Sequence, residues 1–166
     1  YDRVLQVLDE SIELDKAYRG QVLEYNQKKK EIYRLQGNKS AYIEQLWKLV
    51  LEQSAGDLDI YKELKAQYSE KEWLIKREEL FKKLPANAHI DRLYKEEKLY
   101  DRLLAYVLKS SGLYAVQSYE NVLKKEYPKQ ILSKYQDEVN KMASCTGNRK
   151  HYADLVALLR RMKRSE

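Results

Sequence analysis

Three residues near the end of this chain carry the groups of a cysteine-nucleophile site: Cys145, His151 and Asp154. A thiolate nucleophile needs a base within hydrogen-bond reach and a third group to orient that base. His151 and Asp154 stand three apart, which makes them neighbours on a helix face. Cys145 precedes that helix, and no glycine-rich turn or pair of backbone donors is evident for an oxyanion. Such triads assemble across a fold, not within one short segment. The plainer reading is that Asn148 caps the helix, His151 and Tyr152 lie at its packed edge, and Cys145 is a partly buried small residue. The chain reads as a non-enzyme.

Metal and cofactor chemistry is poorly supplied. A structural zinc site takes about four Cys or His ligands at close spacing, whereas this chain has one cysteine and two histidines, His89 and His151. Neighbouring carboxylates such as Glu96 and Glu97 point to different helix faces and read as solvated charge. There is no GxxxxGK[ST] loop to cradle phosphate and no GxGxxG fingerprint. No cofactor is expected.

Positive charge is the strongest functional signal. The net charge is +6. From Asn148 to Glu166 the chain carries Arg149, Lys150, Arg160, Arg161, Lys163 and Arg164 against Asp154 and Glu166, six minus two, or +4. Those six cations are candidate phosphate contacts, because a basic helix displaces counterions from nucleic acid in a salt-sensitive way. Lys28–Lys29–Lys30 is a second, smaller cluster. Ordinary structure competes with this reading: basic residues late in a helix oppose its dipole, and charge on a terminal helix keeps a repeat array soluble.

The elements that must position these residues are helices. Only five glycines and two prolines interrupt 166 residues, and strong helix formers dominate. Tyrosine supplies 15 of the 18 aromatic residues, which suits shallow, water-bordered seams between helices. Val4, Leu5, Leu8 and Ile12 form the first apolar stripe, and a second stretch spans about Tyr18–Leu35. The polar middle of that stretch, Gln27–Glu31, is expected to be exposed or bent. Gly37–Asn38 stops it, and Ala41–Leu51 follows. Asp57 caps the next helix, and Ser69 with Glu72 makes a capping box ahead of Trp73, Leu74, Leu80, Phe81 and Leu84. Ile90, Leu93 and Tyr94 lead on to Tyr100–Leu108, ending at Ser110–Ser111–Gly112. Pro128 suits a first helical turn after Leu113–Tyr127. Gly147–Asn148 resets the chain before a face of Tyr152, Leu155, Val156, Leu159 and Met162. No segment reads as a strand, and none approaches a membrane span.

The pattern predicts an all-α fold of about nine or ten helices, stacked as antiparallel pairs in an α-solenoid of tetratricopeptide-like units. No Gly-, Pro- or Ser-rich linker divides the chain, so residues 1–166 read as a single helical-repeat domain. It opens on Tyr1, which reads as a fragment of a longer protein. One cysteine fits a reducing compartment, and a cytoplasmic location is expected.

Three stretches resemble a known family. They are Leu93–Leu108 (LYKEEKLYDRLLAYVL), Glu126–Tyr135 (EYPKQILSKY) and Asn148–Met162 (NRKHYADLVALLRRM). Over about residues 90–163 the chain is similar to the C-terminal helical region of bacterial SWIM zinc-finger proteins. That resemblance implies a tetratricopeptide-like array following a small zinc module thought to bind nucleic acid or protein. The module's cysteines and histidine have no counterparts at any position here. The expected role is a scaffold that holds a protein partner, or the rest of its own chain. The alternative is an accessory nucleic-acid-binding domain that uses the basic last helix.

Overall fold

The computed structural model describes residues 1–145 and 149–165. Those residues form ten α-helices and no strand. Cα packing divides the chain into two compact units, Tyr1–Leu93 and Tyr94–Glu166. The boundary falls inside a short helix, α6 (Ile90–Glu96), so no turn residue marks it in the sequence.

The first unit begins with α1 (Asp2–Leu14), α2 (Arg19–Leu35) and α3 (Lys39–Lys48), each packed on the next. α3 runs on as a π-helical turn over Leu49–Gln53, followed by α4 (Leu58–Lys65) and α5 (Glu70–Lys83). Caps set these limits. Asn38 accepts from the Ala41 N–H, so the residue expected only to stop one helix also starts the next. Asp57 accepts from Asp59 and Ile60, and Ser69 and Glu72 close the expected capping box. Gly56 takes a left-handed φ of 75°, and a Cβ there would stand 3.2 Å from the His89 backbone nitrogen. The core gathers Tyr42, Leu46, Leu49, Val50, Tyr61, Leu64, Trp73 and Leu80. Tyr61 meets Trp73 edge-on, with centroids 5.2 Å apart.

Several apolar residues take places the periodicity does not give them. Val4 and Leu74 are exposed, although each was expected on an apolar face. The polar middle of α2 is uninterrupted helix and is not fully exposed. Lys29 is buried and reaches Asp9 at 2.6 Å, while Lys30 reaches Glu63 at 2.8 Å. Long lysine stems lie along apolar surface while their ammonium ends find carboxylates. Beneath them the fully buried Asn26 donates to the Val22 carbonyl and accepts from Gln45.

The second unit holds α7 (Tyr100–Lys109), α8 (Tyr114–Leu123), α9 (Pro128–Ala143) and α10 (Arg149–Ser165), again packed in sequence order. α6 and α7 are distinct helices because Lys98 adopts φ 55° between them. Pro128 occupies the first turn of α9 as expected. The core is Leu103, Leu104, Val107, Val116, Tyr119, Leu123, Ile131, Tyr135 and Leu158. The expected reset at Gly147–Asn148 and the Asn148 cap lie outside the described residues.

Candidate functional site

In each unit a carboxylate is shared by a tyrosine hydroxyl and a cation from two other helices. In the first unit Glu63 of α4 accepts from the Tyr42 hydroxyl of α3 and from Lys30 of α2. In the second, Glu120 of α8 accepts from the Tyr135 hydroxyl of α9 and from Arg161 of α10. Arg161 grips Glu120 with Nε at 3.1 and 3.0 Å from the two oxygens and a terminal nitrogen at 2.8 Å. Burial pushes the Glu120 carboxyl up, but the bonds from Arg161 and Tyr135 outweigh it and hold the carboxyl below its usual range. Glu63 shows the same balance, with Lys30 and Tyr42 overcoming its burial. Tyr42 and Tyr135 are pushed up, by burial first and by their bonds to a carboxylate second.

The six cations of the last helix therefore divide. Arg161 is committed to Glu120 and holds α10 against α8. Arg149, Lys150, Arg160, Lys163 and Arg164 are exposed and form no ion pair among the described residues. Arg160, Arg161 and Arg164 wall a basin of about 510 Å³ with Glu120, Ala157 and Lys124. Four cations face one carboxylate there, and that carboxylate is already bonded to Arg161. Lys124 stands at the end of α8, far from α10 in sequence, and was not among the candidate contacts. Only its membership of the Lys124–Lys125 pair at the end of that helix hints at the role. The second lysine cluster is not a comparable patch: Lys29 and Lys30 are ion-paired, and Lys28 lies 6.0 Å from the Tyr25 ring centroid.

α10 also departs from its expected apolar face. Leu155 and Leu158 are buried, and Met162 packs against the core. Tyr152, Val156 and Leu159 are instead exposed, by 63%, 47% and 51%. Leu155 and Met162 are common to the expected and the packed face, and the packed face is turned from the expected one by roughly 60° at about 100° per residue.

The contacts of Cys145, His151 and Asp154 run to other groups. Cys145 is exposed, not partly buried, and its thiol donates to the Lys141 carbonyl at 3.4 Å. His151 Nε2 stands 2.6 Å from the Met142 carbonyl; a carbonyl only accepts, so that nitrogen carries the proton and is no base. Asp154 lines a cavity with Leu113, Gln117, Met142 and Arg161. Among the described residues no group of three His, Cys, Asp or Glu is placed to hold a metal ion. No described helix is long and apolar enough to cross a membrane.

Compared with protein-family models, with curated proteins and with solved structures, the chain matches none.

Proposed function

We propose that this chain is a non-catalytic scaffold, an α-solenoid of tetratricopeptide-like helix pairs that holds a protein partner or another part of its own chain. The observation that carries the reading is the second apolar strip of α10. Tyr152, Val156 and Leu159 repeat at spacings of four and three on a helix already anchored by Leu155 and Leu158. Single exposed apolar residues are normal on a protein surface, but a strip with helical period is what a docking helix reads. The resemblance to SWIM zinc-finger proteins supports the same role and implies a neighbouring zinc module, and the single cysteine supports a cytoplasmic location.

A second reading is favoured by the basin between α8 and α10: an accessory nucleic-acid-binding domain whose phosphate contacts are Lys124, Arg160 and Arg164. Arg149, Lys150 and Lys163 would extend the contact, with Arg161 serving the fold. Fluorescence anisotropy of labelled single- and double-stranded DNA, followed from low to physiological salt, separates the two. The scaffold reading expects any DNA binding to be gone at physiological salt. Binding that persists there, with a salt slope of several phosphates, and falls at least tenfold in Arg160→Gln/Arg164→Gln would replace it with the second reading.

A further inference from the structure

The cations of α10 stand in two groups, not in a stripe. Arg149 and Lys150 open the helix, and Arg160, Arg161, Lys163 and Arg164 close it. Between Lys150 and Arg160 there is no lysine or arginine and one acid, Asp154. That gap of ten residues is about 15 Å of helix. An extended phosphate backbone is followed by cations spread along its path. A concentrated group suits a compact anion instead.

The closing group meets Lys124, the C-cap residue of α8, across the basin between the two helices. Lys124, Arg160, Arg161 and Arg164 less Glu120 give that basin a net charge of +3. Arg161 and Glu120 are bonded to each other, so the excess belongs to Lys124, Arg160 and Arg164. All three are exposed, and their side chains make no hydrogen bond or ion pair among the described residues. Lys124 acts on Glu120 through its field without bonding to it. Both helices end here, for Arg164 lies in the last turn of α10. Their dipoles offset about half a charge each, which leaves about +2 unmatched.

The basin's shape and lining narrow the choice of ligand. Its volume is about 510 Å³, within the range of small-molecule sites. No aromatic ring lines it, so it offers no platform on which a base would stack. Guanidinium groups hold phosphate through paired N–H donors, and lysine adds a point charge.

We infer that the basin between α8 and α10 binds a compact ligand bearing two or more phosphate groups, held by Lys124 from one helix and by Arg160 and Arg164 from the other. The inference goes beyond the scaffold reading, whose apolar strip contributes nothing to the basin lining. It competes with the nucleic-acid reading for the same three cations. Because the ligand bridges two helices, its binding stabilises the second unit.

Isothermal titration calorimetry with inorganic tripolyphosphate at physiological salt tests this on the wild-type chain, Lys124→Gln, Arg164→Gln and Lys150→Gln. All three positions are exposed, and unchanged far-ultraviolet circular dichroism verifies each fold. Lys150→Gln removes the same charge about 15 Å along the helix from Arg160, well beyond the screening length of about 8 Å. One tripolyphosphate is expected to bind per chain and to raise the melting temperature. Lys124→Gln and Arg164→Gln are each expected to weaken it about tenfold, the worth of one charge-assisted bond, while Lys150→Gln leaves it unchanged. Absence of saturable binding, several ligands per chain, or equal weakening in Lys150→Gln overturns the inference. A labelled DNA duplex titrated in parallel separates it from the nucleic-acid reading. Duplex binding that needs Lys124 while tripolyphosphate fails to bind overturns the compact ligand and supports that reading. Tripolyphosphate binding with no duplex binding supports the compact ligand and counts against nucleic acid.

Discussion

At the scale of single residues, Glu120 is the most consequential side chain outside the apolar cores. Its two oxygens take the Arg161 guanidinium and the Tyr135 hydroxyl. A hydrogen bond to a charged group contributes about 1.5–3 kcal/mol, and the cost grows when a buried partner is left bare. Glu120→Ala should therefore lower unfolding stability by about 2 kcal/mol in a urea titration. Tyr135→Phe should cost about half as much, because Arg161 still serves the carboxylate. The pH dependence follows from the direction of the shift. The carboxyl is held down in the folded chain, so the unfolded chain binds its proton first. The stabilisation is then complete above the ordinary glutamate range, about pH 4.3, and disappears as pH falls through the lower folded value. In Arg161→Met burial is no longer opposed by the guanidinium, so the acid-unfolding midpoint should move to higher pH. An unmoved midpoint would mean that Arg161 does not support the fold. None of this was legible from charge counting, where Arg161 looks the same as Arg160. Distinguishing them requires knowing that Glu120, 41 residues away, lies under one and not the other.

At the scale of elements, local chemistry was readable and helix orientation was not. The caps at Asp57 and Ser69 and the proline at the start of α9 are set by near neighbours, and each falls where the sequence places it. The faces of α1 and α10 were harder because each carries more apolar residues than one packed face requires. Periodicity finds the stripes but cannot say which one the core takes. The break at Lys98 was missed for a related reason: Leu99–Leu108 continues the apolar rhythm, and no glycine or proline interrupts it. A non-glycine residue in the left-handed region costs roughly 1–2 kcal/mol, while glycine adds about 0.5–1 kcal/mol of unfolded-state entropy. Lys98→Gly should therefore raise stability by about 0.5 kcal/mol. Gly56→Ala should lower it by more than 1 kcal/mol, since its positive φ comes with a close backbone neighbour. Thermal denaturation of the two variants checks both signs.

At the scale of the whole molecule, composition pointed to tyrosine-lined seams, and partly buried Tyr33, Tyr68, Tyr94, Tyr100, Tyr106 and Tyr127 do border the two cores. Tyr61 and Tyr135 are fully buried, one at the heart of each. The tyrosine count gave the material but not the depth, because burying a hydroxyl requires partners that only the folded chain supplies. The two cores share no buried residue. Leu123→Ala should cost about 2–5 kcal/mol in the second unit. Amide exchange should then lose protection in α7, α8 and α9 while α3 and α4 keep theirs. Uniform loss along the chain would mean that the units unfold as one.

The two tyrosine–carboxylate–cation ties also differ in the order in which a ribosome delivers their parts. In the first unit Lys30 and Tyr42 emerge before Glu63, so the acid arrives where its cation and donor already stand. In the second, Glu120 emerges first and Arg161 comes 41 residues later. Until then the nascent helices α8 and α9 hold an acid with no guanidinium, and they have every reason to keep that acid in water. Final closure of the second unit thus waits on the arrival of α10, and a chain stalled before Arg161 should leave α8 and α9 open to protease.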